Sequence, residues 1–127
     1  MFLAVISYLE FKDLEFWTYY LMNKERLEKL QQWEAEKPND AFLKFALSQE
    51  YISGGQDVEA LKYLLLLQEK FPEYLATYYQ LAKLYERSGE TNKAVATYTK
   101  GMEVAKAAND TKTLRELNAA LEQLQDE

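Results

Sequence analysis

The sequence predicts an all-α protein, a right-handed α-α superhelix built from helix-turn-helix repeats. The main observation is a set of matching residues that lie 34 positions apart, a period typical of two-helix units that stack into a solenoid. The matching pairs are Leu47 and Leu81, Tyr51 and Tyr85, Gly55 and Gly89, and Ala60 and Ala94. Composition agrees, because four Gly and two Pro in 127 residues disfavour both a turn-rich β protein and a disordered chain.

Charge and composition weigh against several classes of function. The formal net charge of −6 disfavours nucleic-acid binding, because a phosphate backbone requires a concentrated basic surface. The chain has no Cys, which excludes disulfides and thiolate metal sites and fits a reducing, cytoplasmic location. It also has no His, the commonest general base near neutral pH and the commonest metal ligand. We therefore expect a protein that is not an enzyme and uses no cofactor or metal ion.

The acidic residues give no sign of an active site. Asp57 and Glu59 could suggest a metal or acid–base pair, but residues two apart on a helix point to different sides. They are expected to be helix-start charges that interact favourably with the helix dipole. The sequence also lacks a Gly-rich phosphate loop and a nucleophile motif.

Residues 1–21 form an extension whose composition differs from that of residues 22–127. They hold seven of the eighteen aromatic residues of the chain. The uninterrupted apolar run ends near Leu9, short of the roughly 20 residues that cross a bilayer, so no integral membrane span is predicted. A signal peptide is disfavoured because the segment has no basic start and no cleavage site of small residues.

Three interpretations of residues 1–21 stay open. The segment could cover apolar surface on the repeat domain or on a second copy, which would make a homodimer. It could lie at a membrane interface, although its polar side chains are mostly acidic. Alternatively, translation could begin at Met22, where a helix-start pattern begins.

The predicted helices from residue 22 onward are bounded by recognisable stop and start residues. A leading helix over 22–37 ends at Pro38, because the residue before a proline avoids the α conformation. In the first repeat, 38–72, Asn39 or Asp40 caps a helix that ends at Gly54-Gly55. Asp57 is predicted to cap the return helix, which Phe71-Pro72 terminates.

The return helix of the first repeat is rich in leucine. Four consecutive leucines, Leu64 to Leu67, predict a helix that is covered on more than one side. The residues expected to form its broad apolar face are Val58, Leu61, Leu64, Leu65 and Phe71.

The second repeat, 72–106, copies the first and is followed by a closing helix. A helix over Glu73 to Arg87 turns at Ser88-Gly89, and Thr91 is predicted to cap a return helix that runs to about Ala107. Asn109-Asp110-Thr111 opens an amphipathic helix over 110–126 that closes the apolar end of the stack. Its apolar stripe consists of Leu114, Leu117, Leu121 and Leu124.

These repeats resemble the tetratricopeptide repeat (TPR) family, and the layout resembles the small stand-alone two-repeat members found in bacteria. The first unit matches the family pattern with Leu47, Ser48, Tyr51, Gly55, Ala60, Leu64, Leu67 and Pro72, and departs from it at Lys44. The second matches with Tyr78, Leu81, Ala82, Tyr85, Gly89, Ala94, Tyr98 and Gly101, and departs from it at Lys106, where proline is expected.

The resemblance implies a non-catalytic adaptor or scaffold that binds a peptide or helix of a partner protein in a concave groove. The positions that would line the groove are Phe42, Phe45, Gln49, Ile52, Ala76, Tyr79, Lys83 and Glu86. Packing beneath the preceding helix is the alternative role for Phe42 and Phe45. The alternative function is a self-assembling structural protein that forms homo-oligomers through residues 1–21.

Overall fold

The structure, a computed structural model, describes residues 21–127. The predictions made for residues 1–20 lie outside this range. The chain divides after Pro38 into two compact units, which are described separately. In the first unit, residues 21–36 are helical (α1).

The second unit, Asn39–Glu127, contains five helices. They are α2 (Ala41–Ser53), α3 (Asp57–Lys70), α4 (Ala76–Arg87), α5 (Thr91–Ala107) and α6 (Thr111–Gln125). Helix α2 packs on α3, α4 on α5, and α5 on α6, with a smaller contact between α3 and α4. No strand occurs within residues 21–127, and the predicted all-α repeat fold is confirmed.

Three helix ends in this unit share one turn geometry. After α2 the N–H of Gln56 donates to the carbonyl of Tyr51 at 2.8 Å, and Gly55 has a φ of +72°. The end of α4 repeats this arrangement with Gly89 at +78°, which confirms the predicted role of both glycines. The end of α5 uses Asn109 instead, at +57°. Asparagine tolerates this left-handed conformation better than other non-glycine residues, so the third turn needs no glycine.

Two helices begin at the aspartates that the sequence indicated. The carboxylate of Asp40 accepts a hydrogen bond from the N–H of Leu43 at 3.2 Å at the start of α2. Asp110 accepts from the N–H of Thr113 at 3.0 Å at the start of α6. The backbone and side-chain hydrogen bonds of Thr113 lower the pKa of Asp110. Of the two caps predicted for α2, Asn39 or Asp40, the structure has Asp40, and the predicted opening of the last helix at Asn109-Asp110-Thr111 is confirmed.

Three predicted helix starts are wrong. The residues that precede α3 and α5 are Gln56 and Glu90, so Asp57 and Thr91 lie inside the helices and do not cap them. The carboxylate of Asp57 instead forms an ion pair with Arg87 at 2.9 Å. Helix α4 begins at Ala76 and not at Glu73, because residues 72–75 form a turn in which the N–H of Tyr74 donates to Phe71.

The core between α4, α5 and α6 is built around two tyrosines. Tyr78 and Tyr98 are fully buried and cluster with Ala82, Leu117 and Ala120. The apolar stripe predicted for α6 closes this cluster, since Leu121 and Leu124 also pack against it. The small residues at four matching positions of the repeat pattern are all fully buried: Ser48, Ala60, Ala82 and Ala94.

Gly101 marks the closest approach of α4 and α5. A Cβ atom added at Gly101 would lie 2.6 Å from the Cβ and 2.9 Å from the Cγ of Tyr78, distances that real Cβ atoms do not adopt. A glycine in the middle of a helix is unfavourable by itself. It is used here because the buried ring of Tyr78 leaves no room for a methyl group.

The predicted apolar face of α3 is only partly buried. Leu64 and Leu67 are fully buried, but Val58 is 69% exposed and Leu65 is also exposed. The prediction that the leucine run is covered on more than one side is therefore wrong for Leu65. Helical periodicity explains this, because a position next to a buried residue points about 100° away from it.

The close contact at Gly101 predicts that even a methyl group at this position lowers the stability of the protein. Gly101→Ala is expected to lower the free energy of unfolding by about 1–3 kcal/mol, because the methyl group forces α4 and α5 apart. Thermal and urea unfolding monitored by circular dichroism measure the change. Gly54→Ala is the matched control, since an added Cβ there meets its nearest neighbour at 3.5 Å and the stability should not fall. Equal losses in both variants would contradict the proposed close contact.

Candidate functional site

The predicted groove residues lie at helical spacing on two helices of the second unit. Those of the first repeat are Phe42, Phe45, Gln49 and Ile52 on α2, and those of the second are Ala76, Tyr79, Lys83 and Glu86 on α4. Steps of three and four residues bring each set onto one face of its helix. Whether a ligand binds to these faces stays a prediction.

The face on α2 is apolar. Phe42 is 64% exposed, while Phe45 and Ile52 are half-buried. The ring of Phe45 packs against that of Tyr74, with centroids 5.7 Å apart. The amide nitrogen of Gln49 is buried and lacks a hydrogen-bond partner in the part of the chain that the structure describes. This face therefore offers aromatic surface and little charge.

The face on α4 is a connected polar and aromatic network. The hydroxyl of Tyr98 donates a hydrogen bond to Oε2 of Glu86. The ammonium of Lys83 lies 3.3 Å from the same oxygen and 5.6 Å from the ring centroid of Tyr79. The rings of Tyr79 and Tyr98 meet edge to face at 6.4 Å. Charge and aromatic surface are thus held together in one place.

Tyr98 anchors this network from the core. Burial, and then its hydrogen bond with the Glu86 carboxylate, raise the pKa of the Tyr98 hydroxyl, so the hydroxyl stays protonated and donates near neutral pH. The sequence predicted Tyr98 only as a packing residue and missed this bond. The available signal was general, since a buried tyrosine hydroxyl normally finds a partner and Glu86 is an acceptor on the neighbouring helix.

Other surface features do not coincide with the groove residues. Two open cavities of about 540 and 510 Å³ flank the loop at Pro72 and Glu73, and none of the eight groove residues lines either of them. No group of three or more acidic residues that could hold a metal ion occurs within residues 21–127. Among the helices of this same range, none has the length and apolar character needed to cross a bilayer.

Comparison with solved structures identifies close structural relatives. A crystal structure of a tetratricopeptide repeat domain protein from Salinibacter ruber matches with 39% sequence identity and a TM-score of 0.67, over 69% of this chain and 98% of that one. A solution NMR structure of a tetratricopeptide repeat domain protein from the same organism gives 39% identity and a TM-score of 0.68, over 70% and 90%.

A third match shows the fold at lower identity. The solution structure of a protein from Bordetella parapertussis is 24% identical, with a TM-score of 0.69 over 79% of this chain and 87% of that one. No protein-family model matches the chain, and the comparison with curated proteins gives no match.

The hydrogen-bond network on α4 predicts that loss of the Tyr98 hydroxyl lowers the stability of the protein. Tyr98→Phe removes the donor to Glu86 and leaves a half-buried carboxylate that has lost one hydrogen bond. We expect a loss of about 1–3 kcal/mol in the free energy of unfolding, measured by urea titration. Tyr79→Phe is the control, because the side chain of Tyr79 is 39% exposed and its hydroxyl can hydrogen-bond to water. A Tyr98→Phe protein as stable as the control would contradict a structural role for this bond.

Proposed function

Because the chain belongs to the tetratricopeptide repeat family, we propose that it is an adaptor that binds a segment of a partner protein along the groove residues of α2 and α4. Membership makes the chain a protein-interaction module in general terms. Proteins with this fold are typically non-catalytic, and we propose no enzymatic activity. The groove and the nature of the segment are the specific part of the proposal.

The exposure of Phe42 is the observation that carries the proposal. At 64% exposed, Phe42 is mostly left in water by this unit, yet it lies on the same face of α2 as the half-buried Phe45. Contiguous apolar surface of this kind marks interaction sites. Burying such a side chain against a partner contributes about 1.5–3 kcal/mol to binding. The exposed Ala76 and Tyr79 provide a similar surface on α4.

The two faces differ in chemistry, which defines what the partner segment should look like. The end near Phe42 favours apolar side chains. The end near Lys83 and Glu86 favours polar ones, because these two charges sit beside an aromatic ring. We therefore propose a segment with apolar side chains at one end and polar side chains at the other.

Phe42→Glu is expected to abolish binding of the partner, because it places a charge on the apolar end of the groove. The measurement is quantitative mass spectrometry of proteins that co-purify from native cells with the wild-type protein and with each variant. Val58→Glu is the matched control, since Val58 is 69% exposed but lies on α3 and not in the groove. Both variants should unfold at the wild-type temperature, because neither side chain is buried.

The test compares the proteins that co-purify with Phe42→Glu and those that co-purify with Val58→Glu. Proteins retained by the wild type and Val58→Glu, but lost by Phe42→Glu, would support the groove. A partner retained by Phe42→Glu and lost by Val58→Glu would contradict it and would assign binding to α3.

The second candidate function is homo-oligomerisation through residues 1–21, favoured by their seven aromatic residues. Under this proposal residues 22–127 form a domain that folds by itself, and the extension docks on another copy. Both candidates assume a cytoplasmic protein, in keeping with the absence of Cys.

Removal of residues 1–21 separates the two candidates. A chain that begins at Met22 is expected to keep its helical circular dichroism spectrum. Sedimentation equilibrium then compares its mass with that of the full chain. A dimer that becomes a monomer after truncation supports homo-oligomerisation, and a monomer in both cases supports the adaptor. A truncated chain that aggregates or unfolds would show that the extension belongs to the core and would contradict the proposed domain boundary.

A further inference from the structure

We propose that the segment bound in the groove carries a basic side chain, arginine or lysine, which binds between the ring of Tyr79 and the carboxylate of Glu86. This inference rests on the proposed function and specifies the partner of the same site. It makes the α4 end of the groove a recognition site for a cation supplied by another protein.

The position of Lys83 shows that this place is complementary to a cation. Its ammonium lies 3.3 Å from Oε2 of Glu86 and 5.6 Å from the centroid of the Tyr79 ring. A carboxylate and an aromatic face at these distances are the two groups that stabilise a Lys or Arg side chain. The chain thus places one of its own basic side chains in a site that another basic side chain can use.

Glu86 is held ready for such a contact. Its side chain is only 19% exposed, and the buried hydroxyl of Tyr98 fixes Oε2 through a hydrogen bond. The contact to Lys83 reaches that same oxygen, and within residues 21–127 no hydrogen bond to Oε1 is seen, so this second oxygen can accept from a donor of the partner. A carboxylate fixed in this way loses little conformational freedom when it binds, which favours affinity.

Lys83 can be displaced at low cost. Its side chain is 34% exposed and sits on a flexible stem, and ion pairs of this kind contribute about 0–1 kcal/mol. An incoming guanidinium presents five N–H donors in a planar fork and stacks well on aromatic rings. Arginine is therefore the side chain that the geometry favours, with lysine as the weaker ligand.

The net charge of the second unit also favours a basic partner. Residues 39–127 contain ten Lys and Arg residues and fourteen Asp and Glu residues, a formal net charge of −4. A negative field accelerates association with basic partners and slows association with acidic ones. The local site and the net charge of the unit thus both favour a positively charged partner segment.

A peptide selection tests the inference. A random peptide library displayed on phage is selected on the full-length protein, and the affinity of the best binder is measured by fluorescence anisotropy. We expect enrichment of peptides that place an Arg or Lys beside apolar residues. Replacing an arginine with citrulline, which is nearly the same shape but neutral, or a lysine with the neutral acetyl-lysine, should weaken binding about tenfold.

Variants of the protein then locate the contact. Glu86→Gln keeps an acceptor for Tyr98 but removes the negative charge. With this variant, the affinities of the basic peptide and of its neutral counterpart should differ by less than about twofold, compared with about tenfold for the wild type. Lys83→Met removes the competing ammonium and should tighten binding about threefold. The matched controls are Glu59→Gln and Lys62→Met, which alter an ion pair of the same i,i+3 spacing, 3.1 Å long and more exposed, on α3. Neither control should change the affinity.

The outcomes distinguish this inference from the function on which it rests. Neutral or acidic binders, or a charge effect that persists in Glu86→Gln, would overturn the cation site while leaving the groove adaptor in place. Binders that compete with one another and are lost in Phe42→Glu would support the groove at the same time. If the selection gives no binder, the proposed function falls, and the inference falls with it.

Discussion

The close approach of paired helices is the constraint on which the rest of the second unit depends. Two helices can pack at short distance only where one of them presents small side chains, and the four small repeat positions are all fully buried. Gly101 is the extreme case, because a single added methyl group would overlap the side chain of Tyr78. These contacts fix the position of α5 against α4, and therefore the position of everything that α5 carries.

Tyr98 links the packing between α4 and α5 to the side chains on the surface of α4. Its ring is buried in the core and its hydroxyl reaches Glu86 on the neighbouring helix. Glu86 in turn positions Lys83, whose ammonium lies over Tyr79. A core residue thereby determines the arrangement of three groups on the groove face. In this fold the site and the core are coupled, so changes in packing between α4 and α5 are expected to alter recognition as well as stability.

The two predicted groove faces differ in chemistry although the repeats that carry them are related. Equivalent positions hold Phe42 and Ala76, or Ile52 and Glu86, so the repeat architecture is kept while the exposed side chains change. The small repeat positions do not vary in this way, since Ser48, Ala60, Ala82 and Ala94 are all fully buried. The asymmetry is what would let a short, two-repeat protein distinguish the two ends of a bound segment.

The sequence alone determined the all-α class, the two-repeat register, the helix-ending glycines and the short segments at which α2 and α6 begin. These features depend on local rules of periodicity, turn conformation and capping, which act over a few residues. Only the tertiary structure decided the helix starts near Asp57, Glu73 and Thr91, because each depends on contacts with other elements or on a turn that several local patterns allow. Which side of the leucine run in α3 is buried was likewise decided by the neighbours that α3 acquires, and helical periodicity then leaves Leu65 exposed.

For the candidate site, too, the sequence determined one part and the tertiary structure decided the other. The resemblance to the family selected the eight groove residues, but it could not reveal that Tyr98, Glu86, Lys83 and Tyr79 form one network. Tyr98 and Glu86 are joined by a turn between antiparallel helices, and their contact exists only because the small side chains at the interface allow those helices to pack closely. The sequence therefore specified which side chains were available, and the distance between α4 and α5 decided which of them meet.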